Sequence, residues 1–406
     1  MRFSFTSQPA WLLALALAAF AVQTDDYIII GVLPAISETV QLPETTTGQL
    51  VTVYSLTYAL AAPMWALLPL RIPRRRALCG ALIVFGAANF AVLLVDSYSA
   101  LLALRVIAAL AAALVLPTAL AAASAEAPPQ HQGRYLATVM TGLTGAVLIG
   151  IPTGTWIGAI LDWRATFVFA GLLGIAALLV LVRTLPQAEA HSIDERKTLT
   201  DMVRPLLNGT VTAILVVTTL AVAGNLAFQT YIAPFLSGLA NVSPTVLAAL
   251  LVCCGIGGLL GTQASGRLID KYTPGLIFAL VSLMFCAVMV AFAMLWTVRP
   301  IPVVLTAVLL TIWSAAAWAV PPSFQSMMLA RAGTEAASQA MAVHSCSVYI
   351  GAAFGGLVGG GVFSVGLGLV PAAAAGLAFL ALVIMLPATR IHTGGPAKQP
   401  EATETV

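Results

Sequence analysis

Apolar residues in this chain come in long unbroken runs separated by short polar or basic turns, without helical or alternating spacing. The runs cover residues 11–33, 50–68, 77–95, 100–123, 136–161, 165–185, 206–236, 245–264, 276–296, 303–320, 336–365 and 367–386. About 20 apolar residues at 1.5 Å each cross the ~30 Å hydrocarbon core of a bilayer. Each run therefore predicts a membrane span. Hydrocarbon offers no water to backbone N–H and C=O groups, so an open sheet cannot cross it and the spans must be helices. Their dense Ala and Gly suits close helix–helix approach.

Composition agrees with that pattern. Of 406 residues, 60% are hydrophobic and 8% charged, whereas soluble domains carry about 25% charged residues. A water-soluble globule is excluded, and an all-α polytopic membrane protein is expected. The net charge of +3 says less than where the charges fall. With the N-terminus inside, all but three of the 18 Lys and Arg residues fall in inner segments. Arg164 and Arg299 fall outside, and Arg105 lies within a span. This is the positive-inside bias of a membrane protein, so both termini are expected in the cytoplasm. Arg2, the run 11–22 and the small residues Ala19 and Ala21 resemble a cleavable signal peptide. Apolar character resumes at Tyr27–Leu33, however, and a retained first span is expected.

The longest polar interruption, residues 186–205, separates six spans from six. Such duplication is a transporter pattern. It gives an N-terminal bundle at 1–185, a cytoplasmic linker at 186–205, a C-terminal bundle at 206–387 and a disordered tail at 388–406. The five cysteines all lie in apolar runs without zinc-ligand spacing and read as small apolar fillers. No phosphate-binding G-x-x-x-x-G-K-S/T motif occurs, and no enzymatic constellation, cofactor site or metal site stands out.

One feature resists a purely structural reading. Asp25 and Asp26 sit inside the first apolar run, where a charge costs roughly 2.5–3.5 kcal/mol on insertion scales. Either acid can serve proton or cation handling if it meets a watery cavity. Arg105 keeps its charge and needs a carboxylate, a carbonyl or water; if it does not find one, it reaches for the headgroups. The second half holds no comparable acid. Asn225 and Gln229, four apart, share a helix face and can line a site for neutral cargo, and Trp318 is a further candidate contact. Tyr54 and Tyr58, also four apart, offer an aromatic wall. His344 is a candidate proton relay or cargo contact.

The turns after spans two and eight share a pattern. The first carries Leu70, Arg71, Arg74, Arg75 and Arg76, and the second carries Gly266, Asp270 and Lys271. Both resemble the G-x-x-x-D-R/K-x-x-R-R/K loop of the major facilitator superfamily, with Leu70 where the first copy usually has Asp. Arg105 matches the buried Arg of that family's fourth-span motif. The fifth span, with Gly142, Gly145, Gly150, Pro152, Gly154 and Gly158, resembles the antiporter signature of its drug-exporting branch. Asp25-Asp26-Tyr27, followed by Gly31, Leu33 and Pro34, is similar to the first span of twelve-span arabinose-efflux and purine-nucleoside exporters.

The resemblance implies twelve helices in two pseudo-symmetric six-helix bundles around a central cavity. It implies secondary active export of a small drug or metabolite in exchange for protons, by a rocking motion. Asp26 aligns with the family's most regular acid and is the expected proton carrier, with Asp25 and Arg105 tuning it. The basic loop residues, with Gly150, Pro152 and Gly154, are expected to serve gating. The implied partners are a small-molecule substrate, protons and membrane lipid, with no nucleic acid, and the working unit is taken as a monomer. A facilitator or a proton-symporting importer of a sugar or nucleoside uses the same fold, since fold and acids do not fix direction. A non-transporting membrane sensor is a third reading.

Overall fold

The computed structural model describes residues 9–67, 73–128, 131–186, 209–269 and 271–390. The chain runs through α1 (Ala10–Val40), α2 (Glu44–Thr47), α3 (Gln49–Leu67), α4 (Arg74–Ala91), α5 (Tyr98–Ala125) and α6 (Gln132–Gly145). A π-turn (Ala146–Gly150) leads into α7 (Ile151–Ile160), followed by α8 (Trp163–Thr184), α9 (Gly209–Thr230), α10 (Ile232–Ala240) and α11 (Pro244–Ile269). The last are α12 (Pro274–Leu295), α13 (Val303–Val365) and α14 (Val370–Arg390). Eleven helical segments among the described residues are long and apolar enough to span. The 19-residue α3, about 28 Å long at 1.5 Å per residue, makes the twelfth.

Local signals set the boundaries. Asp162 accepts the Arg164 N–H at 2.7 Å and caps α8, and Ser97 does the same for α5 from Ala100. Pro73 and Thr273-Pro274 open α4 and α12, where a missing or unused amide costs nothing. Left-handed Gln41 and Asn241 end α1 and α10.

Three boundaries differ from the sequence expectation. The first helix runs through Pro34 to Val40 rather than ending at 33. Asp25 and Asp26 therefore lie at its midpoint, about 22 Å from either end, rather than in its outer half. The seventh span is broken at Tyr231, between α9 and α10. Spans ten and eleven form one helical run, α13, whose arms are Val303–Met328 and Val343–Val365. Phe324 and His344 meet at 6.4 Å although 20 residues apart, so the chain reverses between the arms and both still cross.

The apolar core is divided by bundle and by end. Trp11–Val22 of α1 packs with Leu78–Phe85, Ala108–Ala123 and Leu181. Farther along, Ile28–Ile36 packs with Val92, Leu101 and Phe167. In the second bundle Val211, Phe278, Phe324 and Met385 form one end, and Leu239, Leu247, Phe292 and Ile301 the other. Arg74, Arg134, Arg183, Arg267 and Arg390 stand at the ends of their helices on the side of Trp11 and Met385, the basic end. Arg164 and Arg299 stand at the opposite end.

Close helix approach repeats in the two bundles. Gly142, Gly150 and Gly154 of the fifth span face Ala16, Thr24 and Ile28 of α1. In the second bundle Gly351, Gly355 and Gly359 of α13 face Thr219, Ala223 and Ala227 of α9. Both pairs advance by the same four-residue step and are parallel, as pseudo-symmetry requires. Gly355→Val would drive a side chain into the Ala223 carbonyl and the Ala227 amide. It is expected to cost about 1–3 kcal/mol, read as a lowered unfolding temperature in detergent. Gly361, with no atom near its Cβ position, should tolerate alanine without that loss.

The linker at 186–205 and the tail fall mainly outside the described residues, as do Leu70, Arg71 and Asp270. The described part of α14 extends to Arg390, into the segment expected to begin the tail.

Candidate functional site

The glycine steps fix the rotation of α1, and that rotation separates the two acids. Asp25 turns into the first bundle, where its Oδ1 meets Arg105 Nη1 at 3.0 Å with both side chains almost fully buried. The same nitrogen donates to the Asp25 carbonyl at 3.2 Å. The guanidinium lies 4.1 Å above the Tyr54 ring and 5.8 Å from that of Phe167, both favourable for a cation. The Tyr54 hydroxyl and Asn89 amide lie beside the Asp25 carboxylate. Arg105 thus finds a carboxylate rather than the headgroups.

Asp26 is placed differently. Its Oδ2 accepts a hydrogen bond from Gln23 Nε2 at 3.3 Å, and among the described residues it has no ion-pair partner. Ile30, one turn along the same face, lines a cavity between the bundles. Near Asp26, Tyr58 of α3 stacks on Tyr349 of α13, with centroids 3.8 Å apart and planes at 19°. Both rings lie close enough to feel the Asp26 charge. The next residue, Tyr27, meets Trp318 edge-on at 6.3 Å. The two bundles therefore touch through aromatic rings on either side of Asp26.

The cavity is small and partly open. Ile30, Val147 and Ile151 line it from the first bundle. Gln229, Trp313, Ser314 and Trp318 are the polar and aromatic contributions from the second. Asn225 Nδ2 donates to Gln229 Oε1 at 3.0 Å, so the expected pair forms but only Gln229 reaches the wall.

Beyond the cavity, the opposite end is closed by Tyr231. Its ring sits where a Cβ on Gly48, Gly359 or Gly360 would fall, and its hydroxyl donates to the Gly356 carbonyl at 3.3 Å. Toward the basic end, Tyr349 of α13 is the one second-bundle residue packed on the first bundle's apolar cluster among the described residues.

Other expected site residues fall elsewhere. Tyr54 lies beneath Arg105 and is not part of the cavity wall. His344 is buried against Phe324 at 6.4 Å, within the second bundle. Gly150 and Gly154 pack onto α1 inside the first bundle rather than across the joint. The fifth span meets the second bundle through Leu148 against Gly255 of α11, and Pro152 follows the π-turn. Arg75 donates to the Val182 carbonyl near the end of α8, where a cation suits the exposed carbonyls. Arg74 and Arg76 flank it on the first turn of α4. Gly266 has no neighbour within 4 Å of its Cβ position, and Lys271 lies in an exposed turn.

Gln23, Ser314 and Gly255 were missed. Gln23 had a signal, its three-residue spacing from Asp26. Ser314 and Gly255 look like ordinary small residues in apolar runs.

Comparisons with known proteins agree with this architecture. Residues 15–356 match the family profile described as Major Facilitator Superfamily. The chain is 30% identical over 393 residues to the inner membrane transport protein YdhP of Escherichia coli strain K12, covering 96% of this chain and 97% of that protein. It is 31% identical over 346 residues to the MFS-type transporter YbcL of Bacillus subtilis, covering 85% and 87%. Among solved structures it resembles an inward-facing, unoccupied bacterial homologue of the human lysosomal transporter Spinster. The TM-score there is 0.74 at 18% identity, covering 95% of this chain and 98% of that one. A D-xylose–proton symporter gives 0.76 at 14% identity, covering 93% and 96%.

Proposed function

The chain belongs to the major facilitator superfamily, and on that footing we propose that it exports a small drug or metabolite in exchange for protons. One observation carries the reading. Two adjacent carboxylates lie midway along α1, and among the described residues only Asp25 is matched by a cation. Asp26 is left beside the joint with a single amide partner. A group that changes protonation as the joint opens to either side is what proton coupling needs.

In this reading, with the basic end in the cytoplasm and Tyr231 seated at the opposite end, the arrangement belongs to the cytoplasm-facing half of the cycle. Asp26 gives up its proton there and cargo enters the cavity. Rocking about the Tyr27–Trp318 and Tyr58–Tyr349 contacts then parts Tyr231 from Gly48 of the first bundle and opens the opposite end. Cargo leaves, and Asp26 takes a proton from outside. Asp25 and Arg105 stay paired and contribute no net charge.

Everted membrane vesicles carrying a pH-sensitive dye give the test. Adding the right cargo to an energised vesicle should dissipate part of the proton gradient. If cargo moves at the same rate after the gradient has been collapsed, the protein is a facilitator and the antiport reading fails.

A further inference from the structure

We infer that the cavity between the bundles takes a neutral, flat apolar molecule that carries a hydrogen-bond-accepting oxygen. This deepens the proposed function and rests on its reading of the cavity as the cargo site. Among the described residues that line it there is no Asp, Glu, Lys, Arg or His. A charged ligand would lose its hydration there without a counter-charge on the wall, which is costly.

The unspent polar capacity of the wall is mainly donor. Ser314 already gives its hydroxyl hydrogen to the Cys254 carbonyl at 2.6 Å. The Gln229 carbonyl oxygen is engaged by Asn225, which leaves the Gln229 N–H groups. Trp313, 2% exposed, has its indole N–H buried without a partner. A buried unpaired donor is a standing cost that an acceptor oxygen on a ligand removes. The unpaired Asn225 Oδ1 is an acceptor, but Asn225 is not a lining residue.

Shape narrows the class further. The indoles of Trp313 and Trp318 form part of the wall, and Tyr27 meets Trp318 edge-on, so flat rings suit the site.

The test measures binding to the purified full chain by equilibrium dialysis, with empty micelles subtracted. Four probes of similar shape are compared at neutral pH: acetylnaphthalene, naphthalene, naphthoate and naphthylmethylammonium. The ketone is expected to bind about tenfold or more tightly than either ion. Trp313→Phe keeps a ring but removes the donor. It should weaken ketone binding roughly three- to tenfold more than it weakens naphthalene binding, and retained naphthalene binding shows that the variant is folded. Either ion binding as tightly as the ketone in the unaltered protein would overturn the assignment. So would unchanged ketone binding in Trp313→Phe. Binding is read without a gradient, so a failure of proton coupling in vesicles would refute the antiport reading and leave this result standing.

Discussion

Asp26→Asn is expected to abolish gradient-driven accumulation while leaving cargo exchange intact. For a one-proton exchange, each pH unit sustains about a tenfold concentration ratio, since a factor of ten is about 1.4 kcal/mol. Without an ionisable group at position 26, that ratio should fall to unity. Asparagine is nearly isosteric and can still bond to Gln23, whose amide reaches Asp26 at 3.3 Å, so folding and insertion should be preserved. Counterflow of labelled against unlabelled cargo should continue, because it needs the cavity and the rocking motion but no net proton transfer. A variant that still concentrates cargo against its gradient would show that the proton travels elsewhere.

Breaking the other acid's partnership should harm the protein itself. Arg105→Met leaves Asp25 buried and unpaired, and removing one partner of a buried pair costs about 3–5 kcal/mol. Whole domains are held by about 5–15 kcal/mol. The single variant is therefore expected to give little folded protein and a much lower unfolding temperature in detergent. Arg105→Met combined with Asp25→Leu replaces the pair by apolar side chains and should recover most of that loss. The Tyr54 and Phe167 rings, within cation–π distance of Arg105 in the native protein, remain as packing surface. A single variant as stable as the native chain, within about 0.5 kcal/mol, would show that the pair does not hold the first bundle together. The two acids thus have opposite expected phenotypes, one in coupling and the other in stability.

Much of the fold was legible because the membrane imposes a simple rule. Apolar runs of fixed length must be helices, and their basic flanks set the two ends. Asp25, Asp26 and Arg105 stood out because charge is so scarce in the spans. Their division was not legible. Neighbours on a helix point about 100° apart, and the choice between them depends on how α1 is turned. That turn is set by Gly142, Gly150 and Gly154 docking on Ala16, Thr24 and Ile28, a match of surfaces far apart in sequence.

The cavity was hard to read for a similar reason. Ile30, Val147 and Ile151 have the same chemistry as the lipid-facing residues around them. Gln229 and Trp318 were noticed as polar or aromatic, but nothing in the chain separates Gln229, on the wall, from His344, packed against Phe324. Nothing in the chain marks the place of Tyr231 in the joint. Its role as a wedge depends on glycines at 48, 359 and 360, brought together only by the fold.

The most direct test of the account follows proton and cargo movement together in one vesicle preparation. Dye signal and labelled cargo would be recorded side by side for the native chain and for Asp26→Asn. The account predicts cargo-dependent proton movement in the native protein, and cargo exchange with no dye response in the variant. A variant that moves protons with cargo as the native chain does would contradict it.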